Sequence, residues 1–167
     1  MRAERKINDE ILIRPVMPDD RDFLVGVYRS AREMELSMVP WDEAMKRSFV
    51  ELQFDAQTSY YASEHPTARH SVIELTTGEP VGRIYVEHSE KVIEILDVTV
   101  LPEYRGRGIG SAIIASIVDD ARASGRSVQI YVETFNPSHR FFTSRGFAIA
   151  ETGEVNFRLV WSQNQKS

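Results

Sequence analysis

The chain has 167 residues, of which 42% are hydrophobic and 27% charged, and its formal net charge is −5; this is the composition of an ordinary globular domain. It contains no cysteine, which excludes disulfides, thiolate zinc sites and a cysteine nucleophile. The acidic balance argues against nucleic-acid binding, and the lack of a secretory signal or of an apolar run near the ~20 residues that span a bilayer predicts a cytoplasmic protein.

The first elements in chain order are a strand and a helix. Residues 10–16 (EILIRPV) alternate apolar and polar side chains, which predicts a short strand. Pro18 and the two aspartates after it suit a helix start, because acidic side chains are favourable at the positive end of the helix dipole. Phe23, Val27 and Ala31 recur every four residues and are expected to form a buried stripe.

A second helix is predicted within residues 39–67, with Asp42 as a candidate N-cap. Several apolar residues at helical spacing share one face of it, which we expect to be buried. These residues are Met45, Phe49, Leu52 and Ala56. Trp41 stands at the junction of the two helices.

From residue 69 onward the apolar pattern takes the period of strands. Three strands joined by short turns predict an antiparallel meander: residues 69–75, 81–88 and 91–101. A helix follows in residues 108–125, with an isoleucine stripe and Gly125 as its end. The last predicted elements are a strand, a short helix and two closing strands: residues 127–133, 136–145, 146–151 and 155–161.

This order of elements predicts an α+β fold with a mixed sheet, because one strand–loop–helix–strand crossover stands among antiparallel strands. The chain shows no repeat and no low-complexity linker, so we expect one domain over residues 10–161. Residues 1–9 and 162–167 are polar and are predicted to be flexible tails.

The segment RGRGIG (105–110) joins a predicted strand to a predicted helix. A loop at such a junction exposes backbone N–H groups at the positive end of the helix dipole. Glycine lets a ligand approach that backbone closely, and arginine adds charge and forked donors for phosphate oxygens. The segment therefore predicts a site for an anion, above all a phosphate or pyrophosphate.

Three phosphate-loop patterns can be compared with this segment. A P-loop needs a lysine after its glycines, and none is there. A dinucleotide fingerprint needs a third glycine where Ser111 stands, and its acidic ribose partner is missing. The third pattern, [QR]-x-x-G-x-[GA], is satisfied by Arg105, Gly108 and Gly110.

The third pattern carries a resemblance to a known family. DVTVLPEYRGRGIGSAII (97–114) resembles the coenzyme A-binding motif of the GNAT N-acetyltransferases, and YVETFNPSHRFFTSRGF (131–147) resembles the next motif of that family. VPWDEAMKRSFVELQFDAQ (39–57) is similar to the second helix of a bacterial, uncharacterised subgroup of small domains. The similarity covers roughly residues 10–161.

The resemblance implies a GNAT-like fold, with a mixed, mostly antiparallel sheet of six to seven strands, flanked by about four helices and splayed between strands four and five. It implies acetyl-CoA as co-substrate, with its pyrophosphate on the loop and its pantetheine arm paired to the backbone of DVTVL as an added strand would be. The implied cofactor-binding residues are Val98, Thr99, Val100, Arg105, Gly106, Arg107, Gly108, Ile109, Gly110, Ser111, Asn136 and Phe142. Asn136 as a helix cap and Phe142 as a core residue are compatible alternatives.

The implied reaction is direct transfer of an acetyl group to a primary amine of a small molecule or peptide. Backbone N–H groups of the fourth strand would polarise the thioester carbonyl, and a base or a water relay would remove the amine proton. Asp97 and Glu133, on the two strands that flank the gap, are the candidate catalytic bases. Each also fits the alternative of a solvated or ion-paired strand residue.

Phe142 departs from the family pattern, which usually has a tyrosine there as the proton donor to sulfur. Three interpretations are open. The thiolate leaves unassisted or through water, since a thiol pKa of about 8.5 makes acid help useful but not essential. Alternatively another hydroxyl, such as that of Thr143 or Tyr131, replaces the tyrosine, or the chain is a non-catalytic acyl-CoA binder or sensor.

Tyr28, Glu33 and Trp41 are candidates for binding the acceptor substrate, because substrates of the family enter beside the first two helices; core or surface roles are the alternative. The four histidines show no metal-site spacing, so no metal is expected. The expected partner is an unidentified amine, with no nucleic acid and no membrane, and the resemblance implies homodimers formed through edge strands. A phosphate-binding interaction module unrelated to coenzyme A is a third class of function.

Overall fold

Strands and helices are mixed along the chain in the computed structural model, which describes residues 4–163. Its strands are β1 (Arg5–Lys6), β2 (Ile11–Pro15), β3 (Arg69–Leu75), β4 (Pro80–His88), β5 (Val92–Val100), β6 (Ser127–Glu133), β7 (Ala148–Thr152) and β8 (Asn156–Trp161). Its α-helices are α1 (Arg21–Ser30), α2 (Glu33–Ser37), α3 (Glu43–Glu64), α4 (Ile109–Ser124) and α5 (His139–Thr143). Among these described helices, none has both the length and the apolar character that crossing a bilayer requires.

The strands are hydrogen-bonded in the order β1-β2-β3-β4-β5-β6-β8-β7, which confirms the predicted α+β class with a mixed sheet. The described part of the chain has eight strands rather than six to seven, because β1 forms within the predicted tail 1–9. The outer ends of the predicted tails, residues 1–3 and 164–167, lie outside the described residues.

Contacts divide the chain into two units. The first holds the residues up to Tyr85 together with Asp97–Gly110, and the second holds Val86–Leu96 with the residues from Ser111 onward. The end of β5 and the loop that follows it therefore belong to the first unit, whereas most of α4 belongs to the second.

Antiparallel pairing joins the first strands of the first unit. β1 pairs with β2 at Arg5 opposite Ile13, and β2 pairs with β3 from Ile11 opposite Leu75 to Pro15 opposite Ser71. Buried Arg14 on β2 donates to both carboxylate oxygens of Asp20 at 2.8 Å and also contacts Glu74 on β3. Hydrogen bonding to Asp20, with a further contribution from Glu74, raises the pKa of Arg14 and fixes the start of α1 against the strands.

The three helices of the first unit bury one face each in a shared apolar cluster. Its fully buried members are Leu24, Tyr28, Leu36, Val50, Phe54 and Val72. In α1 the predicted stripe is wrong in part, because Val27 is buried but Phe23 is half-buried and Ala31 lies exposed just beyond the helix end. Asp42 caps α3 as predicted, since its Oδ1 accepts a hydrogen bond from the Met45 amide at 2.8 Å.

The predicted buried face of α3 is wrong. Met45, Phe49 and Leu52 are 52%, 38% and 67% exposed, and Ala56 is exposed as well. The buried residues of α3 are Val50 and Phe54, because the cluster with α1 and β3 covers the side of the helix that carries them. Helical spacing identified an apolar face correctly but not the one that is covered.

The second unit is built around β6. Val92–Ile95 of β5 pair in parallel with Ser127–Ile130 of β6, and β6 pairs antiparallel with β8 along its whole length. β7 lies beyond β8, with a register shift between Ile149 and Glu151. The predicted short helix 136–145 is confined to His139–Thr143, because residues 136–138 form a turn before it.

Candidate functional site

The loop between β5 and α4 has an irregular backbone that only its glycines make accessible. After β5 a 3-10 turn, Pro102–Tyr104, leads into RGRGIG, and α4 begins at Ile109. Gly106 and Gly108 have φ values of +77° and +80°, in the left-handed region that other residues rarely adopt. The two glycines therefore determine the path along which this loop enters the helix.

Unused backbone amides line this loop. Within residues 4–163, the N–H groups of Gly106, Arg107 and Gly108 meet no acceptor, and the next three residues form the first turn of α4, whose amides lack intrahelical partners. The amide of Arg105, which was expected to contribute, donates instead to Pro102 O at 3.2 Å. An anion could therefore be held by the amides from Gly106 to Ser111, at the positive end of α4.

The two loop arginines differ in their contacts. Arg105 Nε donates to Val100 O at 3.0 Å, which ties the loop to the last residue of β5. The Arg107 guanidinium lies 5.1 Å from the centre of the Tyr104 ring. The hydroxyl of Tyr104 contacts the Glu79 carboxylate, and this hydrogen bond raises the pKa of Tyr104. In the described part of the chain no carboxylate pairs with either arginine, so both charges are available to an anion.

Asp97, a candidate base, lies on β5 in an ion pair. Arg83 Nε, on β4, donates to Asp97 Oδ2 at 2.6 Å, and the Thr99 hydroxyl donates to Asp97 Oδ1 at 3.1 Å. Arg83 is 2% exposed, and its Nη2 also donates to Gln57 Oε1 at 2.6 Å. The carboxylate of Asp97 is thus held in a fixed orientation by neighbours on both sides.

Aromatic side chains continue this polar cluster within the first unit. The rings of Tyr61 and Tyr85 are 4.8 Å apart, and His70 stacks on Tyr85 at 4.3 Å. Burial, with a smaller contribution from the charge of Asp97, raises the pKa of Tyr61 to about 12. Burial lowers the pKa of His70 to about 3, so these groups stay neutral at physiological pH.

Glu133, Asn136 and Phe142 lie in the second unit. Glu133 is exposed at the end of β6, opposite Asn156 of β8. Asn136 Oδ1 accepts a hydrogen bond from the Ser138 amide at 2.9 Å, so the side chain closes the turn before α5. Phe142 is 3% exposed and packs edge-to-face on Phe141 and Phe147, at 5.1 and 5.4 Å. Both motif residues therefore have a structural role besides the one predicted for them.

The hydroxyls considered as replacements for the missing tyrosine are exposed. Tyr131 is 52% exposed on β6, and Thr143 is an exposed residue at the end of α5 whose hydroxyl donates to Arg140 O at 3.3 Å. Neither is placed in the core beside Phe142.

The three candidate acceptor residues occupy different surroundings in the first unit. Tyr28 is buried, with its ring 3.5 Å below the Arg32 guanidinium. Glu33 is exposed at the start of α2 and pairs with Arg29. Trp41 lines a shallow groove of about 420 Å³ at the start of α3. Its other lining residues are Asp42, Ala44, Met45, Ser48 and Phe49.

The comparison with known families rests on the same residues. The sequence model of the acetyltransferase (GNAT) family matches residues 30–147, a range that contains both the loop and α5. The chain belongs to the GNAT acetyltransferase family. The motifs identified in the sequence thus lie inside the region that defines this membership.

Curated relatives of this GNAT protein are N-acetyltransferases by name. It is 34% identical over 92 residues to an uncharacterised N-acetyltransferase of Methanocaldococcus jannaschii, covering 50% of this chain and 41% of that protein. It is 30% identical over 161 residues to the mycothiol acetyltransferase of Nocardiopsis dassonvillei, covering 88% and 45%, and 30% identical over 86 residues to the aminoalkylphosphonate N-acetyltransferase of Salmonella typhimurium, covering 47% and 56%. The chain spans about half the length of these relatives.

Solved structures confirm the fold. The PaiA N-acetyltransferase of Thermoplasma acidophilum, solved with coenzyme A, aligns over 91% of this chain and 98% of its own with a TM-score of 0.69 at 18% identity. The spermidine N-acetyltransferase of Vibrio cholerae, solved with CoA and spermine, aligns over 93% and 97% with a TM-score of 0.63 at 16% identity. At these identities the likeness is one of fold.

Three side chains of this GNAT protein were not singled out by the sequence. Arg83 and Gln57 hold Asp97, directly and through one another, and Arg145 Nη2 donates to the hydroxyl of Ser111 in the first turn of α4 at 2.5 Å. A buried arginine in the apolar strand VGRIYV was a signal for the first, because a buried charge requires a partner. Arg145 had a weaker signal, since it directly precedes the GF of the second motif.

Proposed function

We propose that this protein is an acetyl-CoA-dependent N-acetyltransferase that transfers the acetyl group directly to a primary amine of a small molecule or peptide. The observation that carries the proposal is the loop 106–111, whose unused amides converge at the start of α4. Arg105 and Arg107 add two unpaired charges to it. Membership of the GNAT family supplies the ligand, coenzyme A, that matches such a diphosphate site.

Within this proposal the cofactor lies along β5. The diphosphate binds to the loop amides, and the pantetheine arm pairs with the backbone of Val98 and Val100 as an added strand. The registered pairing of β5 with β6 covers Val92–Ile95, so this stretch of β5 extends beyond it. Asn136, Phe142 and the first turn of α4 stay predicted cofactor contacts.

The chemistry follows from the same backbone. The amine nitrogen attacks the thioester carbonyl carbon, the carbonyl oxygen gains negative charge, and backbone N–H groups of β5 stabilise it. The C–S bond then breaks, and coenzyme A leaves as the thiolate. A base accepts the proton that the amine nitrogen loses, directly or through water.

Asp97 and Glu133 are the proposed candidates for that base, and their surroundings differ. Both carboxylate oxygens of Asp97 already accept hydrogen bonds from protein donors, which suits an electrostatic role or a relay through water. The Glu133 carboxylate meets no donor within residues 4–163, which suits direct proton removal. Separate Asp97→Asn and Glu133→Gln variants, assayed for kcat against pH, distinguish the two roles.

The acceptor is proposed as a class, a primary amine. One relative is named an aminoalkylphosphonate N-acetyltransferase, and a structure of the same fold is that of a spermidine N-acetyltransferase. In this chain the groove beside Trp41 has an apolar wall and the Asp42 carboxylate at its rim. A cationic amine with an apolar body would complement such a surface.

A second candidate function is a non-catalytic acyl-CoA binder or sensor. The observation that favours it is Phe142, a buried side chain without a hydroxyl at the position where the family motif usually has tyrosine. This candidate shares the cofactor site with the first and differs from it only in turnover.

The test combines binding and turnover. Isothermal titration with coenzyme A measures the site, and release of free thiol from acetyl-CoA across a broad amine panel measures the reaction. Binding with thiol release supports the enzyme. Binding without release from any amine supports the sensor, and the absence of binding would leave the family's ligand unbound and overturn both.

Assembly and location stay predictions from the sequence. β7 pairs with β8 alone among the described strands, and its residues are all exposed. Such an edge offers backbone groups to a second strand, so light scattering of the purified protein is the measurement that checks the predicted homodimer.

A further inference from the structure

Gly82 on β4 lies against the backbone of β5 more closely than any other residue could. It is buried, and a Cβ atom placed on it would overlap the carbonyl oxygen of Thr99 and lie 3.1 Å from the Cα of Val100. The overlap is with main chain, which cannot rotate aside as a flexible side chain would. The absence of a side chain at position 82 is therefore a condition for the observed position of the Thr99–Val100 peptide.

The direction of that peptide follows from its geometry. The peptide bonds of the described residues are trans, so the C=O of Thr99 and the N–H of Val100 point in opposite directions. Because the Thr99 carbonyl is directed at Gly82 on β4, the Val100 N–H is directed away from β4. The neighbouring peptide agrees, since the Leu101 amide donates to Val81 O at 2.8 Å and Val100 O accepts from Arg105 Nε on the other side.

We propose that Gly82 is a positioning residue for acetyl transfer, because its bare Cα lets the Thr99–Val100 peptide settle on β4 and aim the Val100 N–H at the thioester carbonyl. The inference rests on the proposed acetyl-CoA site on β5. The N–H acts when the amine nitrogen bonds to the carbonyl carbon and the oxygen becomes negative. It releases that charge when the C–S bond breaks and the thiolate leaves with the bonding electrons.

A side chain at position 82 would act on the reaction through β5. The β5 backbone must move on the order of 1 Å to relieve the overlap with an added methyl group, and misplacement of this size costs about 100-fold in catalysis. Loss of one oxyanion donor has a similar cost, about 100-fold or more in kcat. The loop 106–111, which holds the diphosphate, is not touched by position 82, so affinity for coenzyme A should be retained.

The experiment compares Gly82→Ala with Gly26→Ala, a control on α1 where an added Cβ meets nothing within 4 Å. With the best acceptor amine, Gly82→Ala is expected to lower kcat about 100-fold, while the Kd for coenzyme A changes less than about threefold and Gly26→Ala changes neither. An unchanged kcat in folded Gly82→Ala overturns the proposal.

A spectroscopic measurement separates positioning from a general structural role. The carbonyl stretch of acetyl-CoA labelled with ¹³C at the thioester is expected at lower frequency when bound to the unmodified protein than in water. This shift is expected to persist in Gly26→Ala and to be lost in Gly82→Ala. Retention of the full shift in Gly82→Ala contradicts the proposal, whatever happens to the rate.

A second variant removes the N–H itself and covers the case in which Gly82→Ala fails to fold. Replacing Val100 by its α-hydroxy acid turns the Thr99–Val100 amide into an ester and keeps the side chain. The expected result is the same loss of kcat and of the frequency shift, and normal values for both would overturn the proposal. If the unmodified protein binds no coenzyme A, the proposed function fails instead, which is a distinguishable result.

Discussion

Arg83 Nε lies 2.6 Å from Asp97 Oδ2, and the arginine side chain of this pair is 2% exposed whereas the aspartate side chain is 24% exposed. The guanidinium is thus buried with a single carboxylate, while one side of that carboxylate reaches solvent. A buried charge that loses its partner is costly, because nothing replaces the hydration it gave up. The pair therefore holds a candidate catalytic group and also determines part of the stability of the first unit.

Arg83→Met should destabilise the protein by about 3 kcal/mol, the lower end of the cost of breaking a buried pair, because Asp97 is partly hydrated. The free energy of unfolding from urea titration is the measurement. Arg21→Met is the matched control: its pair with Asp55 at 2.8 Å joins side chains 45% and 58% exposed and should contribute less than about 1 kcal/mol. Equal losses in the two variants would show that the Arg83 pair is not special.

Stability should fall in mild acid because of His70. The pKa of His70 is lowered to about 3 by burial, whereas an unfolded histidine titrates near 6.5. Between these values the unfolded chain binds a proton that the folded chain does not, so the contribution of His70 to stability decreases as pH falls from about 6.5 towards 3.

His70→Phe removes this titration and keeps a ring to stack on Tyr85. It should also tolerate burial, since the Nε2 atom it replaces has no hydrogen-bond partner among the described residues. Relative to the unmodified protein, the variant should gain about 1 kcal/mol in unfolding free energy between pH 7.5 and 5.5. Parallel stability curves for the two proteins over this range would refute the assignment.

The sequence predicted the strands better than the helix faces, and the reason is physical. Strands such as 69–75 and 127–133 are observed with the predicted bounds, because alternation and flanking turns determine a strand locally. α3 has 22 residues and carries apolar side chains on more than one face. Which face is buried depends on α1 and β3, which no local pattern in α3 encodes.

The site was predictable where backbone conformation carries the function. RGRGIG predicted an anion loop because glycine spacing acts through the local chain, and Gly106 and Gly108 have the positive φ values that the interpretation required. The pairing of Arg83 with Asp97 depends on the register of two strands 14 residues apart, and the closeness of Gly82 to Thr99 depends on how those strands approach. Neither is a property of a local sequence pattern.

Gly108→Glu should abolish coenzyme A binding. The side chain would add bulk and negative charge where the diphosphate binds and would strain a residue with φ of +80°, so the Kd should rise at least about 100-fold, or 2.7 kcal/mol. Gly125→Glu is the control, because Gly125 has φ of +68° and equally open surroundings at the far end of α4. Titration calorimetry that gave both variants the same affinity would remove the loop from the site.

Phe142→Tyr tests whether the missing hydroxyl limits the reaction. A thiolate with a pKa near 8.5 leaves without an acid, so we expect kcat to change less than about threefold. Because Phe142 is 3% exposed, the new hydroxyl should cost about 1–2 kcal/mol of stability if it finds no partner. Phe141→Tyr, on the neighbouring half-buried residue, is the control, and a rate increase above tenfold in Phe142→Tyr alone would show that acid catalysis had been limiting.

Arg145 should contribute to coenzyme A affinity through the first turn of α4. Its Nη2 donates to Ser111 Oγ at 2.5 Å, and its Nη1 donates to Phe141 O at 2.9 Å. The guanidinium is therefore fixed beside the amides proposed to hold the diphosphate, where a positive charge favours an anion. Arg145→Gln should raise the Kd for coenzyme A about three- to tenfold at low salt, and less at 0.5 M salt because exposed charges are screened there.

Arg140→Gln is the matched control for this last effect. Arg140 is an exposed arginine of the same helix, and its side chain contacts no acceptor within residues 4–163. Its loss removes the same net charge without removing the contact to Ser111. If calorimetry gave Arg140→Gln and Arg145→Gln the same change in Kd and the same salt dependence, net charge would explain the result and Arg145 would have no specific role.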